Sequence, residues 1–235
     1  MEQAVADVAA QLGVHESRIR MMLRSGRLSG RKVGPVWLVD SAEVQRAVRE
    51  KAPSGRPLNP AQAWGVLDLL DGGHASWLDV AGRSRARGHA RGLAGADASR
   101  WRAALRRRHQ RVPCRVHAAA LSRLLDAPGV IPAGADRAAA AGADLLVISS
   151  VPEAYVSAVE WPDLARRLAI RQDVAEPNLI VRVPADVWPF AADEPQPSLV
   201  MLAADLLDSS EPRAISAGVG ALNAAAARIP PSRRR

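Results

Sequence analysis

From Val5 the apolar positions Val5, Val8, Ala9 and Leu12 recur at the spacing of one helix face, and Gly13 ends the run. A second short helix carries Ile19, Met22 and Leu23 and is predicted to stop at Ser25-Gly26, where glycine readily takes a left-handed C-cap. The pattern then changes to two β-rich stretches around the turn residues Gly34-Pro35, with Trp37 and Val39 inward at period two and Arg31 and Lys32 outward. Asp40 to Glu43 has the spacing of a capping box, and Val44 and Val48 supply the inward stripe of a third helix. These elements define a first domain over residues 1–51. Pro53, Gly55 and Pro57 mark residues 52–59 as a linker.

Beyond the linker, Ala63, Trp64, Leu67 and Leu70 share one side of a helix closed by Gly72-Gly73. Helical stretches follow around Ser84–Leu93 and Ser99–Arg108. After Leu121 the character becomes α/β. An alanine-rich helix, a strand Leu145–Ile148, a helix Pro162–Ile170, a strand Leu179–Val183, a helix Leu199–Leu207 and a last helix from about Ser209 to Ile229 are predicted. The expected fold class is therefore mixed α+β and mostly helical. Residues 60–123 are expected as a basic helical segment, 124–229 as a C-terminal α/β domain and 230–235 as a basic tail.

Charge sharpens this division. The chain carries a net charge of +8 over 235 residues, and residues 83–123 hold twelve arginines against one acid, Asp97. A block of that sign attracts a polyanion, and nucleic acid is the usual one for a protein without a lipid-seeking amphipathic helix. Arg85, Arg87, Arg102, Arg106 and Arg107 are the candidates for such a second basic surface. The sequence leaves open whether it serves DNA phosphates, an RNA or an acidic protein. On the second helix Ser17, Arg18, Arg20 and Met21, with Arg24 one turn on, form a polar, cationic face, and Arg31 and Lys32 sit where a hairpin can meet phosphates.

Val5 to Val14, Arg18-Ile19-Arg20, the run Ser25 to Leu28 and the run Val33 to Val39 together resemble the excisionase and MerR-type winged helix-turn-helix over about residues 3–50. The resemblance implies that the second helix enters the major groove through Ser17, Arg18, Arg20 and Met21, with Arg31 and Lys32 on the wing. The runs Gly142 to Val147, Glu153 to Val156, Asn178 to Pro184, Val187 to Phe190 and Ala204 to Arg213 resemble actinobacterial antitoxins of the AbiE (AbiEi-like, type IV) kind over roughly residues 57–229. That resemblance implies a repressor of its own operon that neutralises a nucleotidyltransferase toxin. The excisionase-like head departs from the commoner pattern of such antitoxins. The expected partners are thus an operator duplex and a cognate toxin, with a homodimer on DNA left open. An architectural or recombination accessory role is the alternative.

Signatures of catalysis are missing: no P-loop, no His-Glu-x-x-His and no Gly-x-Ser-x-Gly occurs. No catalytic residue, cofactor or metal ligand is assigned, and the chain is expected not to be an enzyme. A C-terminal domain acting as enzyme or small-molecule sensor is the third reading. Asp205 and Asp208 fall three apart and read as structural in preference to metal-binding, and the five histidines as surface or capping residues. Gly218 and Gly220 read as helix packing. Cys114 reads as a small buried apolar residue, and the six tryptophans as core. No run approaches the length of a membrane span and no secretory leader is seen, so a cytoplasmic, nucleoid-associated protein is expected.

Overall fold

The computed structural model describes residues 2–12, 15–24, 28–34, 36–40, 44, 57–143, 151–190 and 196–230. Several expected features lie outside the described residues: the turn at Gly13, the C-cap at Ser25-Gly26, the capping box after Asp40, the third helix apart from Val44, most of the linker, and the strand Leu145–Ile148. Helix takes about 49% of the described residues and strand about 17%, a mixed α/β fold. The chain divides into two compact units, Met1–Ala52 and Pro53–Arg235.

In the first unit the order is β1 (Glu2–Ala4), α1 (Val5–Leu12), α2 (Glu16–Arg24), β2 (Gly30–Val33) and β3 (Val36–Asp40). The three strands form an antiparallel sheet in the order β1-β3-β2, with Gln3 opposite Val39 and Lys32 opposite Trp37. Gly34 takes φ +58° in the β2–β3 turn, a conformation glycine adopts without steric cost. The inward stripe read from the sequence is the observed core: Val5, Val8, Ala9 and Leu12 of α1 meet Ile19 and Leu23 of α2 and Leu28, Val39 and Val44, with Met22 and Trp37 half-buried against them. A Cβ on Gly30 would lie 2.7 Å from both Leu23 Cδ2 and the Leu38 carbonyl oxygen, so this glycine lets β2 close onto α2.

In the second unit, helices α3 (Pro60–Leu70), α4 (Val80–Gly92) and α5 (Ala98–Leu105) are followed by β4 (His109–Arg115), α6 (Ala118–Leu125), β5 (Val130–Ala133), α7 (Ala135–Ala140), β6 (Glu153–Val156), α8 (Trp161–Arg167), β7 (Arg171–Gln172), β8 (Leu179–Pro184), α9 (Leu199–Leu206) and α10 (Pro212–Ala227). Asn59, Asp79, Asp97 and Ser198 cap α3, α4, α5 and α9 by accepting from backbone amides of the first turn. The strands form one sheet in the order β5-β6-β8-β4-β7, antiparallel except for the β6–β8 pair.

Period two along the central strands sorts side chains between two cores. Leu179, Val181 and Val183 of β8, with Val112 and Cys114 of β4, join α6 and α8. Tyr155 of β6 joins Trp64 and Leu67 of α3, Trp101 of α5, and the helices α9 and α10 in the other core. The expected division at residue 123 is therefore not observed. β4, drawn from the arginine-rich stretch, pairs with β8 over six residues, and Trp101 of α5 donates to Asn223 of α10. The physical reason is α3: it buries residues nearly all round, so it needs partners on every side, and α9 and α10 supply them. The helix expected to reach Arg108 stops at Leu105, and Arg108 turns inward. Cys114 is buried, as expected; of the tryptophans, Trp64, Trp101 and Trp161 are core, Trp37 and Trp77 are half-buried, and Trp188 is exposed.

The contact between α9 and α10 depends on a glycine. A Cβ on Gly218 would lie 2.6 Å from the Ala203 carbonyl oxygen, whereas one on Gly220 would meet nothing within 4 Å. Gly218→Val is expected to destabilise the protein by about 1–3 kcal/mol through overpacking. Gly220→Ala is expected to stabilise it by up to about 1 kcal/mol through helix propensity. Thermal denaturation of the two variants checks the contrast.

Candidate nucleic-acid interface and a buried ionic cluster

α2 is anchored by Ile19 and Leu23, which fixes what it turns outward. Ser17, Arg18, Arg20 and Met21 are all exposed, Met21 to 48%. Arg24 occupies the last residue of the helix, and its side chain lies outside the described residues. Arg20 Nη2 lies 2.6 Å from Glu16 Oε2 in an exposed i,i+4 pair. Such a pair is worth well under about 1 kcal/mol, so a phosphate or base edge can compete for the guanidinium. His15, exposed as the reading of the histidines expects, contacts Ser17 Oγ through Nδ1 at 3.0 Å at the start of the same helix. All four residues of β2 are exposed, including Arg31 and Lys32. The structure thus brings the head residues together on α2 and β2, two elements in contact through Gly30.

The five arginines of the expected second surface part company. Arg85 and Arg87 are exposed on α4, and Arg106 and Arg107 are exposed after α5. Arg102 is a correction: it is half-buried, and Nε and Nη2 both donate to the Leu207 carbonyl at the end of α9, Nε at 2.8 Å. A helix C-terminus carries unpaired carbonyls and partial negative charge, which holds this guanidinium inward.

A further cluster lies between the sheet and α9. Arg108 Nη2 donates to Asp205 Oδ1 at 3.0 Å, Asp208 Oδ2 at 3.1 Å and the Ala204 carbonyl at 3.0 Å. Arg182 of β8 donates through Nη1 to Asp208 Oδ2 and to His109 Nε2, each at 2.8 Å, and through Nε to Glu153 Oε2 at 2.6 Å. Tyr155 donates its hydroxyl to Asp205 Oδ1 at 2.6 Å. Arg108, Arg182 and Asp205 are each at most 2% exposed, while the side chains of Asp208 and Glu153 keep 21% and 18%.

These positions fix the protonation states. Burial alone would raise the Asp205 carboxyl, but the guanidinium of Arg182, with that of Arg108 beside it, holds it well below the usual carboxylate range. Asp208 is lowered likewise, by Arg108 and Arg182 acting against burial. Burial, with Arg108 next, brings His109 down to about 4. A neutral ring also fits the geometry, because Nε2 must accept from Arg182, which leaves the proton on Nδ1. That Nδ1 finds no hydrogen-bond partner among the described residues. Burial raises Glu153, with Arg182 opposing.

Ligand atoms of His109, Asp205 and Asp208 lie within 4.8 Å of one another, a spacing suited to a cation. The cation among them is a guanidinium: Arg182 Nη1 lies 2.8 Å from two of them and 3.3 Å from Asp205 Oδ1. A metal ion there would have to displace it. Asp205 and Asp208 therefore act in packing. His109 is a correction to the reading of the histidines as surface or capping residues, since it is buried and the fold carries it to two acids distant in sequence. His117 does cap α6. The signal for the cluster was an isolated charge in each of two apolar runs, Arg182 in β8 and Asp205 in α9.

Comparisons with protein-family models, with curated proteins and with solved structures return no match. Among the described residues no helix is long and apolar enough to cross a membrane.

Two outcomes follow from the cluster. Asp205→Asn leaves two buried guanidinium groups short of a carboxylate and is expected to cost about 3–5 kcal/mol in urea unfolding. His109 takes a proton at about 4 in the folded chain against an ordinary 6.5, so the unfolded chain protonates first as pH falls. Its share of stability is full above pH 6.5 and is lost between 6.5 and 4, on the order of 3 kcal/mol in all. The raised Glu153 offsets part of the loss in the acidic portion of that window. Unfolding midpoints measured from pH 8 to pH 5 should fall in the wild type and stay flatter in His109→Gln; equal slopes would contradict the assignment.

Proposed function

We propose that residues 1–52 are a winged helix-turn-helix head that binds duplex DNA in a sequence-specific manner, and that the chain is a transcriptional regulator. The observation that carries this reading is the outward face of α2. Ile19 and Leu23 fasten the helix to the core, so Ser17, Arg18, Arg20 and Met21 face away from it beside the exposed strand β2. The strand order β1-β3-β2 with two helices between β1 and β2 is compatible with a winged helix.

The chemistry matches the groove. A nine-residue helix is about 13 Å long, comparable with the roughly 12 Å width of the major groove. Arginine can read guanine O6 and N7 through two donors, and the Met21 side chain offers an apolar surface to a thymine methyl. Arg31 and Lys32 on β2 would hold the flanking phosphates and so fix the register of α2.

Within this proposal, the resemblance of residues 57–229 to AbiE-type antitoxins supports a more specific role as an autorepressor that counters a nucleotidyltransferase toxin. Co-expression with the product of the neighbouring gene tests it: rescued growth supports the antitoxin role, and unrelieved toxicity removes it while leaving DNA binding untouched.

Arg18→Ala combined with Arg20→Ala is the direct test of the head. Each good bidentate base contact is worth about 1–3 kcal/mol, so the double variant is expected to bind the duplex preceding its own gene at least about thirtyfold more weakly. Fluorescence anisotropy gives the number. Unchanged affinity with retained preference for that duplex over a mixed sequence would overturn the proposal.

A further inference from the structure

The arginines of α4 divide differently from those of α5. Gly82, Ala86 and Ala90 form the buried side of α4, small residues that seat the helix closely on the rest of the unit. The opposite side exposes Ala81, Ser84, Gly88 and Gly92, and a Cβ on either glycine would meet nothing within 4 Å. Exposed Arg85 and exposed Arg87, two residues apart and so on different sides of the helix, border this strip on its two edges. Arg91 lies half-buried near the same end, and Arg100 Nη2 donates to the Gly92 carbonyl at 2.7 Å, which fastens another exposed arginine to the C-terminus of α4.

The helix itself contributes no acidic side chain to this face. Between Asp79 and Asp97 the sequence holds no acid. Those two aspartates accept from the backbone amides of Gly82 and Arg100, so both serve as caps at helix starts. The result is a floor of small side chains edged by guanidinium groups, with the exposed Val80 at its N-terminal end, open to a polyanion that lies along the helix.

We propose that this face of α4 is a phosphate-binding surface for the sugar-phosphate backbone of duplex DNA, adding sequence-independent affinity to the head. The proposal rests on the head's binding to DNA for its choice of duplex over other polyanions. Charge complementarity supplies the attraction, and a duplex held by one part of the chain is present at high effective concentration for another.

The test uses the full chain and a mixed-sequence duplex several helical turns long, titrated by anisotropy between about 50 and 200 mM salt. Each phosphate contact contributes about 0.9 to the slope of log affinity against log salt. Arg85→Ala with Arg87→Ala is expected to lower that slope by about two and to weaken binding by about ten- to sixtyfold near 0.1 M salt, while preserving the ratio between the specific and the mixed duplex. Gly88→Glu, which places a carboxylate on the floor where space is open, should weaken binding in the same way. Gly88→Ala should bind as the wild type does. Both residues of the arginine pair are exposed, and circular dichroism verifies that the variants fold.

Wild-type affinity and slope in the Arg85, Arg87 variant would overturn the proposal, whatever the head does. So would a single-stranded RNA of equal length that outcompetes the duplex for the wild type and loses its advantage in that variant, because the face would then belong to RNA. Loss of the specific-to-mixed ratio in the Arg18, Arg20 variant alone supports the head. Retention of that ratio in the Arg18, Arg20 variant, together with a reduced slope in the α4 variant, would remove the head reading and keep this surface.

Discussion

Two guanidinium groups and two aspartates meet beneath the sheet of residues 53–235, and most of that unit's geometry is bound to their pairing. Arg108 and Arg182 are buried, so each must find a carboxylate and several acceptors, since an unpaired charge in such a place is far too costly to keep. Asp205 and Asp208 satisfy both, and they do so only if α9 lies across β4 and β8 in one register. Tyr155 and Glu153 on β6 close the remaining sides. Trp64 on α3 donates to the Arg108 carbonyl at 2.8 Å, which draws the helical layer into the same junction. A set of this kind contributes less net stability than an equally packed apolar core, but it penalises every alternative placement of the elements that carry it.

Much of the fold was legible in the chain. The apolar stripes of α1, α2, α3 and α9 and the continuous apolar run of β8 each fall within a few residues of where the sequence puts them, because local periodicity is enough to specify them. β4 was hidden. Its buried positions His109, Val112 and Cys114 are separated by Gln110, Arg111 and Pro113, so the alternation of an inward face does not show in the arginine-rich stretch around it. The separation at residue 123 failed for a related reason: a change of composition along the chain says nothing about which segments pair in space. The ionic cluster draws on residues up to 100 positions apart, and only the fold could assemble it.

Arginine has two fates in this protein, and the sequence alone assigns neither. Arg102 and Arg108 lie in the most basic stretch, yet one caps the end of α9 and the other enters the interior. Arg85, Arg87, Arg106 and Arg107 stay exposed. A count of charge therefore overstates the basic surface. The head is the converse case: its cations were legible as an outward face, because the inward positions Ile19 and Leu23 are apolar and fix the rotation of α2. The functional reading rests on that rotation.

The most direct measurement is backbone amide NMR of the isotopically labelled full chain, titrated with the duplex that precedes its own gene. The account predicts that the amides of Ser17, Arg18, Arg20 and Met21 on α2 and of Arg31 and Lys32 on β2 shift progressively with added DNA, while those of β1, on the other edge of the same sheet, stay in place. Shifts confined to residues beyond 52, with α2 and β2 unmoved, would contradict it.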